Sequence, residues 1–124
     1  MSHRPSNNLA VERWEIQVRK GVLELVVLAA FWSGRLYGLE LIRRLESDAK
    51  LAVAEGTLYP LLSRLHVDGQ LEAEWVEADA GHPRKYYKLT PEGRRRVVKM
   101  TRFWREFTSN IDEILAPVLP EYKR

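Results

Sequence analysis

The stretch from Glu55 to Gly69, EGTLYPLLSRLHVDG, carries several polar side chains on a segment rich in leucine. The groups able to form hydrogen bonds are three hydroxyls and a guanidinium, at Thr57, Tyr59, Ser63 and Arg64. Such groups match phosphate oxygens and base edges, and a glycine such as Gly56 lets the backbone approach a phosphate closely. These residue types therefore favour contact with a nucleic acid.

The same stretch has the pattern of a helix with one buried face. Four leucines recur at i, i+3, i+4 and i+7: Leu58, Leu61, Leu62 and Leu65. Gly69 is the expected C-cap. Pro60 removes one backbone hydrogen bond unless it lies in the first turn, so the helix either begins near Thr57 or is kinked. Packing of Tyr59 and Pro60 against a neighbouring helix is an alternative to a nucleic-acid contact.

Catalytic chemistry finds little support in the sequence. His3, His66 and His82 are far apart, and no group of histidines and acids has the spacing of zinc ligands. Neither a glycine-rich phosphate loop nor a nucleophile elbow is present. The chain has no cysteine, which excludes disulfides and thiolate chemistry and favours a cytoplasmic location. We therefore predict that the protein is not an enzyme and has no catalytic site, metal or cofactor.

Length and composition are those of one folded domain. The chain has 124 residues, of which 45% are apolar and 30% charged, so disorder is not expected. The longest apolar run, Leu25 to Trp32, is far shorter than the ~20 residues that span a bilayer. The N-terminal residues lack the apolar core of a signal peptide. We predict a cytoplasmic protein with no membrane partner.

Basic residues are concentrated in one part of the chain. Nine Lys or Arg residues and a single acid, Glu92, lie between Arg84 and Arg105, although the net charge is only +3. The preceding segment, 71–79, holds four acids and no base. Such a basic block indicates attraction to a polyanion, and a solvated helix face would explain it equally well.

Periodicity predicts three helices in the first half of the chain. The first helix is expected from about Leu9 to Trp32, and its second half is apolar nearly all round. The second, in LYGLELIRRLESD, turns its apolar residues inward: Leu41, Ile42 and Leu45. The Glu55–Gly69 stretch is the third.

Two segments of alternating residues then predict a β-hairpin. LEAEWVEA sets Leu71, Ala73 and Trp75 against a solvated face of glutamates, and RKYYKLT returns after the turn DAGHP. Arg84 and Lys85 near the tip could meet a nucleic-acid backbone, although charges on an exposed loop are common. Three helices followed by a hairpin is the order of a winged helix-turn-helix, in which the third helix would lie in the DNA major groove.

The last predicted helix carries an apolar stripe too long for so small a domain to cover. Thr90 is its expected N-cap and Pro91 its first residue, and the helix continues to about Leu115. The stripe has heptad spacing, with Leu115 on its flank: Val97, Met100, Trp104, Phe107, Ile111, Ile114 and Val118. We predict that this helix, with the apolar first helix, docks on a second copy of the chain. Packing of the last helix against the first helix of the same chain is the alternative, and the two kinds of packing can occur together.

Side chains of the first and last helices could also frame a pocket. The candidates are Trp14, Val18, Met100, Trp104 and Phe107. Aromatic walls suit a flat aromatic ligand. A plain dimer core would explain the same residues.

Several of these segments together resemble the PadR family of transcriptional regulators. They are LYGLELIRRLE, EGTLYPLLSRLHVDG, the tryptophan of the first strand, GHPRKYYKLTPEGRR and the C-terminal FWREF. The likeness covers roughly Val18 to Leu115, and the combination of TLYP with RKYYKLT is specific. It implies a homodimeric winged helix-turn-helix repressor of the branch with a single C-terminal helix, which forms the dimer with the first helix.

The resemblance also implies roles for individual residues. Tyr37 and Gly38 would begin the helix that supports the recognition helix. Trp104 would lie where an aromatic residue contacts planar aromatic effectors in some members of the family. Ala54 departs from the Ser or Thr that often caps the recognition helix. With the residues inferred above, the predicted DNA-binding set is Tyr37, Thr57, Tyr59, Pro60, Ser63, Arg64, Arg84 and Lys85.

We therefore predict a mainly α protein with a β-hairpin wing, an α+β winged helix-turn-helix with a long C-terminal dimerisation helix. Its expected divisions are an N-terminal arm (1–12), the DNA-binding domain (13–90), the dimerisation helix (91–117) and a tail (118–124). The predicted function is a dimeric repressor that holds a palindromic operator in double-stranded DNA and can be released by a small planar aromatic ligand. A winged-helix module that binds protein and has no operator is the alternative.

Overall fold

The computed structural model describes residues 5–77 and 81–119. Within them, helices and an antiparallel sheet follow one another as expected, which confirms the predicted mainly α fold with a β-hairpin. The elements are α1 (Pro5–Ala30), β1 (Leu36–Tyr37), α2 (Gly38–Ala49), α3 (Glu55–Val67), β2 (Leu71–Val76), β3 (Arg84–Leu89) and α4 (Pro91–Leu115).

The core is built from apolar side chains of every helix and of the hairpin. Its buried members are Val27, Leu28, Phe31, Leu41, Leu45, Leu51, Leu58, Leu62, Leu65, Leu71, Tyr87, Leu89 and Val97. The inward leucines of α2 and α3 therefore lie where their spacing predicts. Full burial of one leucine contributes about 1.5–3 kcal/mol, so this cluster, more than helix propensity, holds the short α2 and α3 in place.

The sheet contains one strand more than the sequence indicates. β1 pairs with β3 through Leu36–Tyr87 and Tyr37–Tyr86, and β2 pairs with β3 on the other side, which gives the order β1-β3-β2. A strand of two residues is too short to show alternation, so its partner alone defines β1. Because β1 leads directly into α2, it brings Tyr37 beside the hairpin.

Helix α1 begins and ends earlier than the sequence predicts. It spans Pro5–Ala30 instead of about Leu9 to Trp32, so residues 5–12, expected to be an arm, form its first turns. Leu9, Ala10 and Glu12 favour a helix, and Pro5 lies at the first helical position, where a missing N–H costs no hydrogen bond. Residues 1–4 of the expected arm lie outside the described part of the chain.

Helix α3 runs through Pro60 without interruption. It begins at Glu55 and not near Thr57, so Pro60 lies in the helix interior. The missing N–H of Pro60 leaves the carbonyl of Gly56 without its usual helical donor. Both residues are exposed, so water can supply the lost hydrogen bond.

The end of α3 and the start of α4 are joined by a compact set of hydrogen bonds. The Gln70 N–H donates to the Leu65 carbonyl (2.9 Å), and Gly69 has a φ of 82°, as in a Schellman motif. The Thr90 hydroxyl donates to the Gly69 carbonyl (2.6 Å) and accepts from the Gly93 N–H (2.9 Å). The predicted capping roles of Gly69 and Thr90 are thus confirmed.

The hairpin extends beyond the core toward its tip. Leu71 is buried and Ala73 half-buried, but Trp75, expected on the same inner face, is 68% exposed. Trp75 lies opposite Lys85, next to the last pair of the hairpin, where the helices no longer cover it. Residues 78–80, in the expected turn, and 120–124, in the expected tail, lie outside the described residues.

Candidate nucleic-acid interface and adjoining cavity

Helix α3 presents a ridge of small and polar residues to solvent. The ridge, at i, i+4, i+7 and i+11 opposite the buried leucines, consists of Gly56, Pro60, Ser63 and Val67. None of these side chains is long, so a phosphate or a groove wall can come close to the helix backbone. At the start of the helix, Ala54 supplies no side-chain cap, and its carbonyl accepts from the N–H groups of Thr57 and Leu58, both at 3.0 Å. The amides that an anion could meet are therefore those of Glu55 and Gly56.

Tyr59 lies on one flank of this ridge, against the start of α2. A Cβ added to Gly38 would lie 2.4 Å from the Tyr59 hydroxyl oxygen, so the ring occupies space that only a glycine leaves open. Burial, and then the carboxylate of Glu55, raises the pKa of Tyr59, and its hydroxyl remains a donor at neutral pH. The ring therefore packs against a neighbouring helix, as the alternative interpretation held, while the side chain stays 40% exposed.

Thr57 lies on the other flank, where α3 meets α1. It lines a cleft of 280 Å³ together with Arg19 and Lys20 of α1. These two cations lie beside the start of α3, and the sequence analysis did not predict them. Only the packing of α1 on α3 reveals their place, because nothing in the spacing of the first helix connects it to Thr57.

Arg64 is engaged within the chain. Its Nη2 donates to Glu24 of α1 at 2.8 Å, and its Nη1 lies 3.5 Å from Asp68 of α3. The hydrogen bond and the charge of Glu24 raise the pKa of Arg64. The guanidinium is thus directed at α1 and away from the ridge. Because Glu24 is forty positions away in the sequence, the residue type of Arg64 could not indicate this direction.

The wing carries an alternating series of arginines and tyrosines. The rings of Tyr37 and Tyr86 meet edge to face with centroids 5.3 Å apart. The Arg84 guanidinium lies 4.5 Å from the Tyr37 centroid, and that of Arg35 lies 4.5 Å from the Tyr86 centroid and pairs with Glu74. Each exposed stack is worth about 0.5–1 kcal/mol, so these side chains are held in defined positions. Arg35 was not predicted from sequence, because β1 was not.

Lys85 completes the basic surface of the wing. Its Nζ lies 5.8 Å from the Trp75 centroid and 5.5 Å from the Tyr87 centroid. Lys88 lies three residues further along β3, on the opposite face of the strand, and pairs with the carboxylate of Glu72 at 3.3 Å. The two predicted wing cations, Arg84 and Lys85, therefore face aromatic rings and stay available to phosphates.

A cavity of 670 Å³ lies between α1 and α4. All five predicted pocket residues line it: Trp14, Val18, Met100, Trp104 and Phe107. Phe103, which was not predicted, stacks on Phe107 with centroids 5.3 Å apart and also lines the cavity. Among the described residues that line it, Lys99 alone carries a charge. The volume is within the range of about 300–1,000 Å³ that small-molecule sites occupy.

The apolar stripe of α4 is covered only at its start. Val97 is buried and Met100 half-buried, by packing against the rest of the chain. Beyond them, the exposed fraction ranges from 37% to 76% for Trp104, Phe107, Ile111, Ile114, Leu115 and Val118. Packing against α1 of the same chain therefore accounts for the first turns of the stripe and not for the rest.

The described residues show neither of two other kinds of site. Residues 5–77 and 81–119 contain no group of three or more histidines and acids close enough to hold a metal ion. No helix in that part of the chain has the length and apolar character needed to cross a membrane.

The fold and this surface together define a winged helix-turn-helix protein, with α2 and α3 as the helix pair and the β2–β3 hairpin as the wing. Residues 27–99 match the model of the transcriptional regulator PadR-like family. Because the match spans more than half of the chain, this protein belongs to the PadR-like family of transcriptional regulators, as its motifs predicted.

Two solved structures and the sequence of a further regulator agree with this assignment. A PadR-like transcription factor from Bacteroides fragilis is 40% identical, with a TM-score of 0.68 over 82% of this chain and 98% of its own. A PadR family regulator from Eggerthella lenta DSM 2243 is 29% identical, with a TM-score of 0.81 over 90% and 97%. Transcriptional regulator Rv3488 of Mycobacterium tuberculosis is 39% identical over 59 residues, which are 48% of this chain and 54% of that protein.

Proposed function

We propose that this regulator is a dimeric repressor that binds a palindromic DNA operator through α3 and the wing. The observation that carries the proposal is the exposed small-residue ridge of α3 beside the ordered cations of the wing. A recognition helix in the major groove needs close backbone approach, which the short side chains of the ridge allow, and short polar groups, which Ser63 on the ridge and Thr57 beside it supply.

Within this interface the contacts divide by chemistry. Thr57, Tyr59 and Ser63 offer hydroxyls to base edges and phosphates, and Pro60 offers a flat apolar surface. The uncapped first turn of α3 suits a phosphate, since free amides and the helix dipole both attract an anion.

Cations around the ridge would hold the DNA backbone. Arg84 and Lys85 of the wing, with the hydroxyl of Tyr37 in β1, are joined in this role by cations that the fold adds to it, Arg35 and the pair Arg19 and Lys20. Contacts of this type supply affinity and salt dependence and carry no base sequence. Arg64 is left out of the direct contacts because its guanidinium binds Glu24.

The exposed stripe of α4 supports the dimer. Five exposed apolar side chains on α4 and that of Val118 just beyond its end are continuous with the aromatic lining of the cavity, and such a row is typical of a face that a second subunit covers. A two-fold axis through this face would present two copies of α3, and recognition helices in such dimers lie about 34 Å apart on a palindrome.

The cavity between α1 and α4 supports a small-molecule effector. Four aromatic side chains line it, and such walls bind flat aromatic molecules. It adjoins the stripe of α4, so an occupant would lie where the subunits meet. We propose that a planar aromatic compound binds there and releases the repressor from its operator.

The central test places a carboxylate on the ridge. Operators are first selected from random duplexes with the wild-type protein, and affinity is then measured by fluorescence anisotropy at fixed salt. Ser63→Glu should weaken binding about 100-fold or more, because it sets a charge against phosphates at an exposed site that the fold does not need. Ser109→Glu makes the same change on the exposed side of α4 and should alter affinity less than threefold.

A second variant tests the wing. Arg84→Ala should lower the slope of log affinity against log salt by about one, as expected for the loss of one phosphate contact. If the wild type selects no sequence, or if Ser63→Glu binds like the wild type, the ridge does not read DNA. A winged-helix module that binds protein would then be the better description.

A further inference from the structure

One carboxylate joins three helices at the centre of the molecule. The Oε1 of Glu24 in α1 accepts from Arg64 of α3 at 2.8 Å, and its Oε2 accepts from Arg96 of α4 at 2.9 Å. The Glu24 side chain is only 24% exposed, whereas both arginines are about half exposed. Besides the hydrogen bonds between Gly69 and Thr90, α3 is therefore connected to α4 through the Glu24 carboxylate of α1.

The charge of Glu24 is secure at neutral pH. Burial on its own would raise the pKa of Glu24, but hydrogen bonds and charge from Arg64 and then Arg96 outweigh it and hold the pKa below the ordinary value. Asp68 also faces Arg64, at 3.5 Å, and adds negative charge to the group. Ion pairs of this partly exposed kind contribute little net stability, so their geometry is the more important property.

Glu24 and Arg96 lie next to residues that line the cavity, although neither is part of the lining itself. Gly21, Val22 and Leu25, which flank Glu24 along α1, line the cavity on one side. Lys99 and Met100, about one turn after Arg96 along α4, line it on the other. The Glu24–Arg96 bond therefore spans the two walls just beyond the cavity, and any change in the separation of α1 and α4 acts on it.

We propose that Glu24 is a positioning residue that fixes α3 relative to α4 and passes changes in the cavity to α3. The inference rests on the proposed dimeric function, since the relation of α3 to α4 in each subunit then sets the separation of the two recognition helices. Spreading α1 from α4 strains the Glu24–Arg96 bond, and the other oxygen of the same carboxylate holds Arg64.

The test measures the separation of the two α3 helices in the absence of DNA. The chain has no cysteine, so Val67→Cys, at a position 83% exposed on α3, takes a single spin label in each subunit. Pulsed dipolar spectroscopy then gives the distance between labels across the dimer. With Glu24→Gln we expect a distribution at least twice as wide as in the labelled parent protein.

The matched control lies on the same helix. Glu15 pairs with Arg19 of α1 itself at 4.0 Å, so Glu15→Gln removes an ion pair that links no second element. Its distance distribution should equal that of the parent. All variants are measured well below their unfolding temperatures, so that lost stability cannot widen the distribution.

A second substitution imitates an occupant of the cavity. A Cβ on Gly21 would meet no atom within 4 Å, so Gly21→Phe can place its ring in the cavity between α1 and α4. It should shift or widen the distribution in the parent. It should add nothing when combined with Glu24→Gln, because the connection is then already broken.

Each outcome decides a separate point. An unchanged distribution in Glu24→Gln refutes the positioning role while the dimer stands. Additive effects of Gly21→Phe and Glu24→Gln, or no effect of Gly21→Phe in the parent, refute the transmission from the cavity. Absence of a dipolar signal in the parent would overturn the dimer itself, and the proposed function with it.

Discussion

The two halves of α4 have the same apolar period but different surroundings. In the first half, Gly93 rests on the backbone of Gln70 and Val97 is buried in the core. In the second half, the stripe continues through Phe107 and Ile111 with much of each side chain exposed. A heptad pattern thus identifies the face of a helix that avoids water, and it does not say whether the same chain or another covers that face.

The largest loss of stability should come from a substitution that disrupts packing in the first half of α4. A Cβ on Gly93 would lie 2.1 Å from the backbone carbonyl oxygen of Gln70, which cannot move without disturbing the junction between α3 and α4. Gly93→Ala should lower the free energy of unfolding by about 3 kcal/mol, the upper part of the range for overpacking. Chemical denaturation measures this loss.

The control is a glycine in another helix. At Gly21 of α1 a Cβ meets no atom within 4 Å, so Gly21→Ala should gain about 0.5–1 kcal/mol from helix propensity. Equal stabilities of the two alanine variants would show that the contact at Gly93 is not as tight as its geometry indicates.

An intermediate effect should come from the exposed half. Ile111→Glu places a charge in the stripe, where it opposes burial against a second subunit and leaves the core of the same chain unchanged. We expect the dimer to dissociate about 30-fold more readily, equivalent to about 2 kcal/mol, by sedimentation equilibrium.

Thermal unfolding of the Ile111→Glu monomer at low concentration should match that of the wild type. Ser109→Glu, on the opposite side of α4, should leave the dimer intact. Identical association of all three proteins would mean that no subunit covers the distal stripe.

The smallest effect concerns the ion pair that ties the packed half to α1. Because the folded pKa of Glu24 is lowered, its contribution to stability is fully present above the unfolded pKa of about 4.3. That contribution is lost as the pH falls through the lower, folded pKa. The stability difference between wild type and Glu24→Gln should therefore shrink by up to about 1 kcal/mol on acidification. A difference that is independent of pH would contradict the ion pairing.

Sequence patterns predict the helices and the hairpin because these depend on local periodicity. The capping roles of Gly69 and Thr90 were also predictable, since glycine with positive φ and a threonine before proline have local causes. The first turns of α1 were missed because residues 1–12 matched no motif, although their helix propensity is ordinary.

Contacts between distant segments were not predictable. The strand β1 exists only through its pairing with β3, and Trp75 alternates as a core residue would but lies beyond the reach of the helices. The type of Arg64 suggested DNA, whereas its direction is set by Glu24 on another helix. In each case the position of the residue depends on a partner that is distant in the sequence, and no local sequence pattern indicates that partner.

The hydrogen bond from Thr90 to Gly69 fixes the C-terminal end of α3 at the start of α4. From this end, α3 extends over 13 residues to Glu55, a length of roughly 20 Å at about 1.5 Å per residue. A rotation of α3 by about 10° about its C-terminal end would displace Glu55 by roughly 3.5 Å, close to the ~3.4 Å rise of one base pair. If α3 reads DNA as proposed, a rotation of that size near α4 would therefore shift the start of α3 by about one base-pair step.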